Sequence, residues 1–519
     1  MVRISSQQVF QSGINRLQDL NSGLQKTQEQ ISTGKRVNSP SDDPVAAARI
    51  LKLDQQVAQI DQYQRNVDLA ENRLQQEESA LNSATDLIQR VRELTVQAGN
   101  GSLSPEDRKS IAAELHQRVD QLAAITNTRD ASGEYIFSGF QGNTPAFAQN
   151  ISGDWVYQGD EGQRSLEIDE GVKVKISDPG KELFVNVPSS EPTFFAKANE
   201  SNSSGGRITT GTVLDQDVFN TFYGANNDDL VVDINDDGAG GLNYEVRYQS
   251  DDPAAVGYTP IASGTYTSGE SIRVAGLQFE ISDAADGDHY TLQTSEKQST
   301  FNSIEKLIYG LETQGKMPAV AKLPAAGFSP QLDDSLTING VAFTGLTSTT
   351  ALRDAINGSN DPAFEKITAS TDASGNLSIT SRDGDLSFTA NNGGTPGGQI
   401  VVNGAKFQDL DLAGGVTSAT VESGQQAFND LIAQSLSNLD NAQESILEVH
   451  TELGGRLNAV DSTRAFLEDS SVYTKDIRSQ LRDVDYAEAV SRLSFQSFVL
   501  QAAQQSFAKV SQLSLFDRL

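Results

Sequence analysis

The sequence predicts an α+β multidomain protein, in which both chain ends form a long antiparallel coiled-coil helical rod and two mainly β domains are inserted in the middle. Apolar residues recur every seven positions near each end of the chain. Of the 14 prolines, 11 lie between Pro145 and Pro396, and of the 43 glycines, six precede residue 139 and three follow residue 420. Helical ends and a centre of strands and turns follow from this distribution.

The first long helix is expected from Pro44 to Ala98. Its apolar residues at a spacing of seven have the pattern of a coiled-coil seam and are Leu53, Ile60, Val67, Leu74, Leu81 and Ile88. Asp42 and Asp43 before Pro44 suit the start of a helix, and Gly99 suits its end. About 55 residues at about 1.5 Å each give a helix on the order of 80 Å long. A helix of that length needs a partner to bury its seam.

The partner is expected near the other chain end. A second row at a spacing of seven consists of Ile432, Leu439, Ile446, Leu453, Val460 and Leu467. Thr474 breaks this row and Leu481 resumes it. The simplest interpretation is an antiparallel pair of rod helices with the central residues as an insertion between them.

Two shorter amphipathic helices are expected at the termini. The N-terminal helix presents Phe10, Ile14, Leu17, Leu24 and Ile31, and the C-terminal helix presents Val490, Leu493, Leu500, Ala503, Phe507, Val510 and Leu513. Because the rods bring positions near 40 and 483 together, these helices should meet. Two helices bury only one side each, so they predict an assembly interface with neighbouring copies. The alternative is that they complete an intramolecular bundle.

Six segments are expected along the chain. They are an N-terminal assembly helix (1–40) that pairs with 483–519, a long rod helix with a fold-back helix (41–138), a first β-rich domain (139–315), a second β-rich domain (316–422), a returning rod helix (423–482) and a C-terminal assembly helix (483–519). Ser104 and Asp107 suggest a capping box for the fold-back helix. Asn-Gly hairpins are expected within Leu336–Phe343 and Ile400–Phe407.

The charge and composition exclude several kinds of partner. Lysine and arginine number 39 against 70 aspartates and glutamates, and a net charge of -31 disfavours binding to nucleic acid or to an anionic membrane surface. The chain has no cysteine, which excludes disulfides and thiolate metal sites. It has no run of 18 apolar residues and no hydrophobic signal-peptide region, which taken alone favours the cytosol.

The sequence gives little support for an enzymatic function. The three histidines, His116, His289 and His450, are far apart and lack a nucleophile motif or zinc spacing, so no catalytic, cofactor-binding or metal site is predicted. Asp233–Gly238 resembles the start of a calcium loop, but Tyr244 stands where such a loop has Glu. A turn between strands is the better interpretation. Trp155 is expected in a β core.

Motifs at both ends resemble one family. Gln30–Pro44 reads QISTGKRVNSPSDDP and is similar to the N-terminal signature of the flagellin superfamily, with an Asp-Asp-Pro form typical of its hook–filament junction members. Leu453–Asn458, Leu500–Ala503 and Ser514–Phe516 resemble the C-terminal pattern of the same members. The resemblance covers about residues 1 to 140 and 423 to 519.

This resemblance implies a structural protein of the bacterial flagellum. Such a protein is exported unfolded through the flagellar type III channel and is assembled, outside the cell, between hook and filament. The implied partners are further copies of the chain, a hook-associated protein on the hook side, and flagellin or another hook-associated protein on the filament side. A cytosolic export chaperone is expected on the C-terminal helix, from Val490 to Leu513. The lack of a signal peptide is then no argument for the cytosol.

Two other functions stay open at this point. One is flagellin, the bulk filament subunit, which would be far more abundant than a junction protein. The other is an extracellular glycan-binding or hydrolytic β protein on a coiled-coil stalk. A hydrolase would need two carboxylates about 5 to 9.5 Å apart across a cleft, and loss of activity on mutating acids between Asp154 and Asp288 would favour it.

Overall fold

The structure is a computed structural model that describes residues 6–226, 228–330, 334–371, 374–382, 384–391, 399–402, 409–411 and 416–516. It contains helices and sheets, with the long helices toward both ends and the sheets in the middle, which confirms the predicted mixed class at this level. Within the described residues, no helix is long and apolar enough to cross a membrane.

The helices begin and end close to the predicted positions at both chain ends. The α-helices are α1 Ser6–Thr33, α2 Pro44–Ala98, α3 Pro105–Thr126, α4 Gly180–Phe184, α5 Gln216–Asn226, α6 Thr300–Thr313, α7 Thr349–Asn357, α8 Gln425–Arg482 and α9 Tyr486–Phe516. Ser104 accepts a hydrogen bond from Asp107 N, and the Asp107 side chain accepts one from Ser104 N, so the predicted capping box of α3 is confirmed.

The strands of the first β-rich part pair antiparallel throughout. They are β1 Phe147–Gln149, β2 Trp155–Tyr157, β3 Ser165–Asp169, β4 Val172–Lys175, β5 Val187–Ala198, β6 Arg207–Ile208, β7 Thr212–Val213, β8 Leu230–Asp236, β9 Leu242–Tyr248, β10 Ala262–Thr265, β11 Ser271–Val274, β12 Leu277–Ser282 and β13 His289–Gln298. The largest sheet has the order β10-β9-β8-β13-β5, and β11-β12-β6 forms a second with β7 beside β12. Their facing side chains form one buried apolar cluster around Phe194, Val232 and Phe279.

The second β-rich part has its own core. Its strands are β14 Ala319–Leu323, β15 Phe328–Ser329, β16 Ser335–Ile338, β17 Val341–Thr344, β18 Ile367–Thr371, β19 Leu377–Ser381, β20 Leu386–Asn391, β21 Gln399–Val401, β22 Asp409–Asp411 and β23 Val416–Val421. They form the sheets β14-β19-β18, β15-β21-β22 and β17-β16-β20-β23. Leu336, Ile379 and Phe388 are fully buried in one cluster shared by strands of different sheets. A cluster of this kind is the usual core of a small β domain.

The chain divides into two compact units. Unit 1 comprises Met1–Asn72, Ser165–Lys175 and Gly455–Leu519, and unit 2 comprises Arg73–Arg164 and Ile176–Gly454. In unit 1, the β3–β4 hairpin is joined to α2, because Asn66 Nδ2 donates to Glu167 O at 2.7 Å.

The Asn-Gly turn in the first predicted hairpin is confirmed. Asn339 and Gly340 have φ of 45° and 87°, and β16 and β17 pair on either side of them. Positive φ at both central residues is what a type I′ hairpin turn requires. The second predicted turn, at Asn403-Gly404, lies outside the described residues.

Helices α5 and α7 are among those that occur where the sequence indicated only strands and turns. In α7, Ser348 Oγ accepts from Ala351 N at 3.1 Å, and Leu352 and Ile356 are buried. In α5, Asp215 Oδ1 accepts from Val218 N at 3.1 Å. Each helix has about three turns or fewer, so it contains too few apolar residues to show a helical spacing. The glycines and asparagines around it favour turns, although its capping residue indicates the start of a helix.

The calcium-like segment is the end of β8 and the hairpin turn that follows it. Asp237 Oδ1 accepts hydrogen bonds from Ala239 N at 2.7 Å and Gly241 N at 2.8 Å. These bonds hold the pKa of Asp237 below its usual range. Within the described residues, no group of three or more His, Asp or Glu is arranged to hold a metal ion.

Glu77 is a charged residue on the buried side of α2. Its side chain is 2% exposed, and its Oε1 accepts from Asp178 N at 3.2 Å. A buried backbone N–H needs such an acceptor.

We predict that Glu77→Ala lowers the free energy of unfolding by about 1–3 kcal/mol, because it leaves a buried donor unpaired. Glu77→Gln should recover part of this loss, since its amide oxygen can accept the same bond. The control is Glu78→Ala, whose half-exposed carboxylate lies 3.9 Å from His450, with an expected change below about 1 kcal/mol. Urea unfolding measures all three, and equal losses for Glu77→Ala and Glu78→Ala would contradict the prediction.

Candidate assembly site

The turn after α1 and the turn after α8 lie side by side in unit 1. Residues 34–37 run antiparallel to residues 481–484 and form an isolated β-bridge, with Arg36 N donating to Arg482 O at 2.6 Å. We call this contact the joint. It brings the starts of α2 and α9 and the ends of α1 and α8 to one place.

A small apolar cluster lies under the joint. Val37, Ala46 and Ile50 are buried, and Leu481 packs against them. The cluster therefore includes side chains from both sides of the joint. Burial of these side chains stabilises the antiparallel contact by the hydrophobic effect.

The two aspartates of the signature have different roles. Asp42 Oδ2 accepts from Ser39 N at 2.9 Å, and Asp42 Oδ1 lies 2.9 Å from Lys26 Nζ. The hydrogen bond from Lys26, followed by those from the turn, holds the pKa of Asp42 well below its usual range. Asp43 Oδ1 accepts from Ala46 N at 2.9 Å and caps α2. Asp42 thus ties the turn to α1, and Asp43 starts the rod helix.

Gly34 is required by both backbone geometry and space. Its φ is 68°, its carbonyl accepts from Val484 N at 3.0 Å, and a Cβ at this position would lie 2.9 Å from Tyr486 Oη. L-residues rarely adopt this φ, and real Cβ atoms are rarely this close to another atom. The joint therefore depends on a glycine here.

Helices α1 and α9 pack closely through small residues. A Cβ on Gly13 would be 3.0 Å from the ring of Phe507, and one on Gly23 would be 3.5 Å from Gln496 Nε2. Thr27, only 3% exposed, lies 2.8 Å through its hydroxyl from Gln496 Oε1. This part-buried polar contact favours one register of the two helices, because a shift along the axis would break it.

The predicted interface residues are only partly covered in a single chain. Those with half-buried side chains are Ile14, Leu17, Leu24, Ile31, Leu493, Leu500, Ala503 and Phe507. Val490 is exposed. The side chains of Phe10, Val510 and Leu513 lie outside the described residues. Among the described side chains, the predicted interface thus stays partly in contact with solvent.

Sequence reasoning missed the most exposed apolar residues of α9. Phe495 and Phe498 are each 68% exposed, and Tyr486 is also exposed. At about 100° per residue, Phe498 lies nearly opposite Gln496, which faces α1. These phenylalanines fall off the row at a spacing of seven, so the search for a single seam passed over them. Their own spacing of three was the available signal.

The predicted seam residues of the rod helices are mostly buried. In unit 2, the buried ones are Leu74, Leu81, Ile88, Ile432, Leu439, Ile446 and Leu453, and in unit 1 they are Val67, Val460 and Leu467. Leu53 and Ile60, near the start of α2, are half-buried.

Ion pairs connect α2 and α8, and their order along the two helices is that of antiparallel neighbours. In unit 1, Arg478 lies 3.0 Å from Asp54, and Arg464 lies 3.0 Å from Asp68. In unit 2, Arg92 lies 2.8 Å from Asp440. Within unit 1, the α8 number falls as the α2 number rises, which is the order expected for antiparallel neighbours.

Comparison with known proteins finds similarity at both ends of the chain. Residues 4–142 match the bacterial flagellin N-terminal helical region, and residues 436–519 match the bacterial flagellin C-terminal helical region. Both ends of the chain are thus similar to the helical regions of bacterial flagellins. Its joint is formed by the signature turn of the first region and by the α8–α9 turn of the second.

Curated relatives include hook-associated proteins and flagellins. Flagellar hook-associated protein 3 of Salmonella typhimurium is 36% identical over 188 residues, 36% of this chain and 58% of the relative. The protein of the same name from Escherichia coli is 35% identical over 204 residues, 39% of this chain and 63% of the relative. A flagellin of Listeria monocytogenes is 35% identical over 108 residues, 21% of this chain and 38% of the relative. The chain thus spans about three fifths of the hook-associated relatives that it matches.

The histidines lie beside different carboxylates. His289 Nδ1 is 2.6 Å from Asp233 Oδ1, and His116 Nε2 is 3.3 Å from Glu312. His450 is 3.9 Å from Glu78 on a helix surface. Each histidine therefore has its own local partner.

Gly34→Ala should destabilise the joint for two separable reasons. The positive φ costs about 1–2 kcal/mol, and crowding against Tyr486 adds about 1–3 kcal/mol. In a Tyr486→Phe background, where the nearest hydroxyl is gone, only the first cost should remain. A double-mutant cycle on urea unfolding measures this difference. The same loss in both backgrounds would show that the close approach to Tyr486 carries no energy.

Proposed function

We propose that this chain is a structural subunit of the bacterial flagellum that forms the junction between hook and filament, and that it is exported by the type III route and acts outside the cell. The matches at both chain ends support this, since the hook-associated relatives align over a longer part of the chain than the flagellin does. Flagellin itself, the bulk filament subunit, is therefore the second candidate.

The observation that carries the proposal is the exposed apolar surface of α9. Phe495, Phe498 and Val490 face solvent in a single chain although α9 already packs against α1. Large apolar side chains grouped on an exposed helix mark a protein interface. We propose that a second copy of this chain covers them, so that the paired terminal helices assemble side by side. The neighbours would be a hook-associated protein on one side and flagellin or another hook-associated protein on the other.

We further propose that α2 and α8 form an antiparallel coiled coil. The buried seam residues and the order of the ion pairs support this. The six segments proposed from the sequence, with divisions near residues 40, 138, 315, 422 and 482, suit this arrangement.

The C-terminal helix is also the proposed site of an export chaperone, over Val490 to Leu513. The same exposed apolar residues that suit assembly would need cover in the cytosol before export. Chaperone and neighbouring copy would thus use one surface at different times.

Electron microscopy of cells that lack this gene tests the junction role. We expect intact hooks without filaments, together with filament subunit lost into the medium, because nothing would connect the two structures. Quantifying copies of the chain in purified flagella separates the candidates, since a junction subunit is scarce. Normal filaments, or a copy number equal to that of the bulk subunit, would refute the proposal.

Replacing the outward phenylalanines tests the assembly surface. Phe495→Ser with Phe498→Ser should leave the free energy of unfolding of the isolated chain within about 1 kcal/mol, because both side chains are exposed. The variant should fail to restore filaments in the deletion strain. The control is Val256→Ser, a fully exposed apolar residue in unit 2, which should restore them. Filaments with the double variant would reject this surface.

Co-purification separates the chaperone from the neighbouring copy. We expect deletion of residues 486–516 to abolish chaperone binding, and the two serine substitutions to weaken it. Retained binding after the deletion would place the chaperone elsewhere.

A further inference from the structure

A cavity of about 380 Å³ opens beside α3 and α6 in unit 2. Its lining includes Trp155 of β2 and the buried apolar side chains of Val119 and Ile208. This volume lies in the range of small-molecule sites, which combine apolar walls with a few polar groups. Neither the assembly surface nor the rod seam uses any of these residues.

Two carboxyl groups from distant parts of the chain line this cavity. Glu305 Oε1 accepts from Trp155 N at 3.3 Å, and Asp154 Oδ2 accepts from Asn150 Nδ2 at 3.1 Å. Among the described residues, neither carboxyl forms an ion pair with a lysine or arginine, and no cation contributes to the pKa of either group. The two groups therefore lack the countercharge that buried carboxylates normally have.

The pKa values of Glu305 and Asp154 are both raised, as expected for buried carboxyls that have no cation beside them. Burial, and then the charge of Asp154, raises the pKa of Glu305 to about 8. Burial also raises the pKa of Asp154. At pH 7, Glu305 is therefore mostly protonated, and a cation placed beside it would favour its ionised form.

Two further groups point to a ligand. Ser152 Oγ is buried at the cavity lining and has no hydrogen-bond partner within the described part of the chain. Its oxygen can accept a bond from an N–H group. Trp155 is half-buried and offers the aromatic ring that attracts cations most strongly.

The charged groups around the cavity favour a cationic ligand. The other titratable or charged groups in the lining are His116 and Asp120 of α3, Arg207 of β6, and Tyr309 and Glu312 of α6. His116 already lies 3.3 Å from Glu312. Carboxylates thus outnumber cations in the lining, and the whole chain carries -31. An anionic ligand would be repelled.

We propose that this cavity binds a small organic ammonium ion, held by the carboxylates of Asp154 and Glu305, by Ser152 Oγ and by the ring of Trp155. The assignment is independent of the junction role, since none of these residues belongs to the assembly surface.

Binding is linked to proton release. The ammonium group stabilises ionised Glu305, so at pH 7 about one proton leaves this carboxyl for each ligand bound. With a pKa of about 8 in the empty cavity, affinity rises about tenfold between pH 7 and pH 9. An alkylammonium with a pKa of about 10.4 keeps most of its charge between pH 7 and pH 9.

The test is isothermal titration calorimetry of the full chain with 1,4-diaminobutane, at constant ionic strength, at pH 7 and pH 9 and in two buffers of different ionisation enthalpy. Wild type should bind about tenfold more tightly at pH 9 and release about one proton at pH 7. Glu305→Gln should weaken binding at pH 9 at least tenfold and remove the proton release. The matched control is Glu191→Gln, an acid that lines a different cavity, which should bind as wild type does.

Several results would overturn the proposal. Wild-type binding without proton release, or binding unchanged by Glu305→Gln, would show attraction to the acidic surface in general. Binding of maltose but not of the diamine would assign the cavity to a neutral sugar instead. If Glu305→Gln did not fold, Asp154→Asn and the proton release of wild type would decide the question by themselves.

Discussion

The antiparallel contact between residues 34–37 and 481–484 is the constraint on which the organisation of this chain depends. It joins two turns that are more than 440 positions apart in the sequence, so everything between them becomes an insertion. Closing so long a loop has an entropic cost that grows only slowly with its length. The small apolar cluster at the joint offsets part of this cost. A central segment can therefore lengthen without disturbing the terminal helices.

Buried polar groups give these helices a defined register. An apolar seam alone allows neighbouring registers of similar energy, because one heptad resembles the next. The contact of Thr27 with Gln496 and that of Glu77 with Asp178 N each penalise a shift of the helix, since a displaced helix would break the hydrogen bond. Gly34 adds a backbone condition, because its φ of 68° is one that residues with a side chain rarely adopt. Specificity at the chain ends thus comes from a few polar and steric contacts within an otherwise repetitive surface.

The exposed phenylalanines of α9 and the buried acids of the cavity would be stabilised by different kinds of partner. Phe495 and Phe498 are apolar groups in water, and covering them with another copy would be favourable by the hydrophobic effect. Asp154 and Glu305 are acidic groups away from water, and a cation beside them would relieve the opposite kind of cost. Both surfaces are incomplete in a single chain, one for apolar and one for electrostatic reasons. They lie in different units, so changes in one can be tested without altering the other.

The sequence by itself determined the elements whose signals are local and repeated. The spacing of seven in α2 and α8, the aspartates before Pro44, the capping box at Ser104 and the Asn339-Gly340 turn each act over one or two helical turns or one hairpin, so neighbouring residues suffice to predict them. Only the tertiary structure decided which groups from distant positions meet. The presence of Asp154 and Glu305 in the lining of one cavity and the face of α9 that stays uncovered depend on packing between segments far apart in the chain. Periodicity along one dimension carries no information about such contacts, because folding brings them together only after the local elements have formed.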